Sequence, residues 1–110
     1  MLMLTTVKIK GLDINLTKKF GILDTISKKI VKRECIITSA LDGLHTKDTI
    51  HPLGKAIDIR TRDIEFNCVL IYYYEEIKAW LGDNFDVVLE QDSNQPHIHI
   101  EYDPKPKETK

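Results

Sequence analysis

The sequence predicts an α+β domain in which a small antiparallel sheet is backed by two helices. One long segment carries apolar residues at helical spacing, a second is long and rich in aromatics, the remaining apolar segments are short and alternating or β-branched, and turn residues separate them. At 110 residues there is room for one hydrophobic core. Residues 1–104 are therefore expected to form a single domain and 105–110, Lys-Pro-Lys-Glu-Thr-Lys, a solvated tail.

In chain order, residues 5–10 alternate weakly and suggest an edge strand. From 16 to 31, Leu16, Phe20, Leu23, Ile26, Ile30 and Val31 recur at intervals that make one apolar stripe on a helix. Gly21 inside that run costs about 1 kcal/mol relative to alanine. Residues 35–39 are short and β-branched, the mark of a buried strand, and 41–50 have no periodicity and read as a loop. Residues 55–60 alternate, with Ile57 and Ile59 on one side and Ala56, Asp58 and Arg60 on the other. A second, aromatic-rich helix is expected over 64–81, closed by Gly82. A strand over 85–90, a turn over 92–96 and a last strand over 97–102 complete the chain.

Composition narrows the functional classes. A net charge of −1 gives no footprint for a polyanion, so nucleic acid is not an expected partner. No apolar run is long enough to span a bilayer, and Met1 to Lys8 lacks the pattern of a secretory signal, so synthesis in the cytoplasm is expected. Cys35 and Cys68 make no disulfide framework; both are expected in the core of a protein folded under reducing conditions.

The chemistry concentrates in two segments. His51-Pro52-Leu53-Gly54-Lys55-Ala56-Ile57-Asp58 offers an imidazole and a carboxylate seven residues apart, and His97-Ile98-His99 adds two imidazoles in a chain with four histidines. Imidazoles plus one carboxylate are the donor set of a catalytic zinc site, which keeps one position open for water. Strand periodicity projects His97 and His99 from one face while Ile98 and Ile100 anchor the other; Asp58 follows the same rule in its own strand. If the two strands are neighbours, Asp58 and a histidine of the last strand reach one ion, with His51 entering from the preceding loop. Hydrolysis also needs a base for the metal-bound water. Glu90, at the end of the strand before the last, leads; Glu101, with the parity of the histidines, competes, and Asp92 is third. His45 reads as a surface residue.

At these residues the chain resembles the zinc D-alanyl-D-alanine peptidase superfamily, which includes the L-alanyl-D-glutamate endopeptidases of phages and the hedgehog fold. The shared pattern is His51, Gly54 and Asp58, then Glu90, then His97-Ile98-His99-Ile100-Glu101, and the resemblance runs from Ile36 to Tyr102. It implies a hedgehog/DD-peptidase-like fold with His51, Asp58 and His99 as zinc ligands, Glu90 as general base, and His97 as an auxiliary that stabilises the oxyanion. It also implies a monomeric zinc peptidase, of carboxypeptidase or endopeptidase type, that cleaves peptidoglycan stem peptides next to D-residues. By analogy with the phage members, a holin or a virion would bring the enzyme to the cell wall. One departure is plain: many members follow Thr-Ser with Gly-Tyr-Arg, whereas this chain reads Thr38-Ser39-Ala40-Leu41-Asp42 and lacks that arginine. Two other classes stand beside this reading. One is a non-catalytic zinc-stabilised binding module, which needs no base beside the metal; the other is a plain α+β protein with unliganded histidines.

Overall fold

Alternation along the strands sorts every side chain to one of two faces, and that sorting builds the molecule. In a computed structural model of the chain, residues 2–3, 12–41, 55–91 and 96–104 are described. Their elements are β1 (Leu2–Met3), α1 (Ile14–Thr17), α2 (Phe20–Ile30), β2 (Ile36–Leu41), β3 (Ala56–Arg60), α3 (Asn67–Leu81), β4 (Phe85–Glu90) and β5 (His97–Tyr102). Strands β2 to β5 form a four-stranded antiparallel sheet, and β1 joins β2 in parallel, giving the order β1-β2-β3-β5-β4. The expected α+β class is the observed one. No helix among the described residues is long and apolar enough to cross a membrane.

The inner face is apolar throughout. Ile57 and Ile59 of β3 stand opposite Ile100 and Ile98 of β5, and Val87 and Leu89 of β4 stand opposite the same two residues from the other side. Leu16 and Leu23 from the first two helices and Tyr73 and Ile77 from α3 close over them without solvent contact. Each such side chain contributes roughly 1.5–3 kcal/mol through its removal from water. The buried phenol of Tyr73 donates to the Cys35 sulfur at 3.8 Å, and burial pushes the Cys35 thiol up to about 11, so this cysteine is inert packing. Cys68 departs from expectation. It is exposed, because α3 directs Leu70, Tyr73, Ile77 and Leu81 inward and Cys68 lies off that stripe.

The helices also depart from their expected bounds. The run over 16–31 is two helices, since the Lys19 amide bonds Leu16 O, three residues back, at 3.0 Å and tightens the turn between them. The Asp13 carboxylate caps α1 by accepting from the Asn15 amide at 2.7 Å. Gly21 consequently falls in the first turn of α2 rather than inside a long helix. Helix α3 starts at Asn67, three residues later than expected. Asp63 is held instead by the Arg33 guanidinium, with Nη2 to Oδ1 at 2.7 Å, and Ile64 bonds back to Thr61 O at 2.9 Å in a turn. Gly82 ends α3 at φ 85, a backbone region that favours glycine. The bounds of β4 and β5 match the sequence expectation. Strand β2 runs from Ile36 to Leu41, one residue later at its start than the expected 35–39 and one residue into the expected loop over 41–50. The expected edge strand at 5–10, the rest of that loop, the turn residues 92–95 and the tail lie outside the described residues.

Candidate metal centre

The face of the sheet opposite the helices collects the polar residues that alternate with this core. Strand β5 is central, so its outward residues His97, His99 and Glu101 meet neighbours on both sides. Across β3 they stand opposite Arg60, Asp58 and Ala56; across β4 they stand opposite Glu90, Val88 and Asp86. Directly opposed residues of an antiparallel pair share a face, which makes the register the device that assembles the site. A register irregularity between Ile37 and Ser39 in β2 then sets Ser39 beside Asp58.

Asp58 is the hub. Its Oδ1 lies 2.8 Å from His99 Nδ1 and 3.7 Å from His97 Nε2. One donor atom from each of Asp58, His97 and His99 falls within 4.8 Å of the other two, and all three residues are half-buried. Tetrahedral ligands at about 2.0–2.2 Å from one ion lie roughly 3.4 Å from each other, a separation bracketed by the two distances to Asp58. Two imidazoles and a carboxylate suit zinc or another borderline divalent ion. These residues can therefore hold a metal.

Glu101 completes the network, its Oε1 3.2 Å from His99 Nε2. His99 is thus flanked by a carboxylate at each ring nitrogen. The hydrogen bond to Asp58 is the main cause that holds its pKa above the ordinary imidazole value; Glu101 adds to the rise and partial burial opposes it.

Of the residues expected from sequence, the fold brings Asp58, His99 and His97 together. Neighbouring β3 and β5 meet the condition on which Asp58 and the last strand were expected to converge. His97 is near enough to Asp58 to serve as a donor itself, beyond the auxiliary role expected of it. Glu90 is exposed and faces His97 across the hairpin, and it is not one of the three converging donors. His51, the third expected ligand, lies outside the described residues, as do His45 and Asp92.

The structure adds to the sequence reading at two residues. Arg60 shares the face of Asp58 and stands opposite His97; its Nε is buried without a hydrogen-bond partner among the described residues. Its parity in the alternation of β3 was the available signal. Glu101, expected only as a rival base, touches His99 directly. Comparison with protein-family models, curated proteins and solved structures returns no match, which leaves the donor set and its register as the grounds for a functional reading.

Proposed function

We propose that the chain is a zinc-dependent peptidase that hydrolyses bonds next to D-amino acids in peptidoglycan stem peptides. The observation that carries this reading is the convergence of Asp58, His97 and His99 on the face of the sheet opposite the helices. The motif from His51 to Asp58 and the sequence from Glu90 to Glu101, which resemble the zinc D-alanyl-D-alanine peptidases, give it its substrate class.

In this reading Asp58, His99 and His51 bind the ion. A bound zinc supplies Lewis acidity, lowering the pKa of water to about 7. Glu90, exposed at the end of β4, accepts the proton of the attacking water and passes it to the leaving amine. His97 Nε2, on the Asp58 side of the site, donates to the developing oxyanion. Arg60 offers a cation on the same face for a carboxylate of the stem peptide, in a chain without the Gly-Tyr-Arg segment common among the enzymes it resembles. A partner of this kind agrees with a net charge of −1, which does not recruit a polyanion.

A second reading rests on the exposure of Glu90, which a binding module does not need beside the metal: a zinc-stabilised binding module without catalysis. Digestion of purified muropeptides by zinc-loaded protein, followed by mass, separates the two. Release of D-alanine or cleavage after L-alanine supports the peptidase. Zinc binding with intact muropeptides supports the binding module.

A further inference from the structure

Glu101, on the outward face, is only 8% exposed, and an acidic residue so little hydrated is normally held by a partner. Its Oε1 meets His99 Nε2 at 3.2 Å, while the other ring nitrogen, Nδ1, meets Asp58 Oδ1 at 2.8 Å. The two nitrogens of an imidazole point away from each other, so one ring cannot turn both toward the same ion. Of the two, Nδ1 faces the carboxylate that His97 Nε2 also approaches, at 3.7 Å. Nε2 faces away from that convergence and toward Glu101.

We infer that Glu101 is the positioning residue of the metal centre: it holds the Nε2 proton of His99 and so presents Nδ1 to the ion. This rests on the zinc reading above. A neutral imidazole carries one N–H and one acceptor nitrogen, and an ionised carboxylate only accepts. With the ion at Nδ1 that nitrogen is bare, and Glu101 accepts the remaining proton on Nε2, its negative charge making Nδ1 a stronger donor to the cation. Histidines that bind metals commonly give their second N–H to a carboxylate in this way, and loss of that partner typically weakens metal binding about 10–100-fold. Strand geometry supplies the pair without any loop: His99 and Glu101 are two residues apart on one face of β5, and the small Ala56 stands opposite Glu101 across β3.

The test uses the full chain, its zinc affinity measured by competition with a chromophoric chelator, and two-bond proton–nitrogen correlation spectra of protein labelled with nitrogen-15 at histidine. In the zinc-loaded wild type, His99 is expected with Nδ1 on the metal and a proton on Nε2. Glu101→Gln keeps the shape and an accepting oxygen, so it should weaken zinc by about 10-fold. Glu101→Ala should approach 100-fold and shift the His99 Nε2–H resonance of the zinc-loaded protein from its wild-type position. Zinc bound through His99 Nε2, or unchanged affinity in both variants, overturns the role of Glu101 while leaving the zinc reading intact. Zinc lost from Glu101→Gln as completely as from Asp58→Asn would make Glu101 a ligand and also overturn it. A folded wild type that takes up no zinc overturns both.

Discussion

The two faces of one sheet behave as different materials although the same strands make them. On the inner face Ile57, Ile59, Ile98 and Ile100 are fully buried beneath the helices. One residue away along each strand, Asp58, His97 and His99 are half-buried, charged or titratable, and linked by short polar contacts. The inner face contributes the folding free energy, and the outer face spends part of it by gathering groups that would be better solvated apart. Rigidity reaches the site through this arrangement: each donor is one peptide unit from a side chain locked in the core. Damage to the two faces should therefore be separable, one lowering stability and the other removing chemistry.

The largest effect is expected from the outer face. Glu90→Gln should lower turnover on a cleavable stem peptide by about 10²–10⁴-fold, the usual contribution of general acid–base catalysis, while the unfolding midpoint and zinc content stay at wild-type values. A loss of stability in step with activity would mean that Glu90 belongs to the structural side of the comparison. Next in size is the inner face. Ile59→Ala should destabilise by about 2–5 kcal/mol in denaturant unfolding of the metal-free protein, because it leaves a cavity among Ile57, Ile98 and the helices. Its neighbour Asp58→Asn should change metal-free stability far less.

Acidity should distinguish the faces too. The folded-state pKa of His99 is raised above its ordinary value of 6.5 by Asp58 and then Glu101. In metal-free protein the protonated ring therefore contributes stability that is fully present below 6.5 and is lost as pH rises through the higher folded value. Denaturant midpoints from pH 5 to 9 should fall across that window in the wild type and lose this component in His99→Gln. A profile unchanged by His99→Gln would show that the ring is not held by its two carboxylates. The smallest effect lies away from both faces. Gly82→Ala should cost about 1 kcal/mol, because φ 85 strains a residue with a Cβ although the space beside it is open.

How far the sequence spoke for itself depended on whether a property was local. Alternation of His97-Ile98-His99-Ile100 and of Ile57-Asp58-Ile59 revealed which residues share a face, and the bounds of β4 and β5 followed from Gly82, Pro96 and Pro104 around them. Register is not local. Nothing in the residues themselves says that Asp58 stands opposite His99 rather than opposite Glu101. Alternation puts Glu101 on the face of His99, but the side-chain conformation that brings Oε1 to Nε2 is not written in it. The helix breaks were lost for a related reason: a continuous apolar stripe from Leu16 to Val31 fits one helix, whereas the turn at Lys18 and Lys19 is a matter of backbone bonding. Cys68 was misjudged because it sits in an apolar stretch whose helical phase turns it outward.

The most direct measurement is zinc content, by elemental analysis, of protein purified without chelators or a histidine tag, wild type beside Asp58→Ala and His99→Ala. Expected are about one zinc per wild-type chain, loss of that zinc in both variants, and a fall in thermal stability only to the level of the metal-free wild type. A well-folded wild type without metal, or variants that retain full zinc, would contradict it.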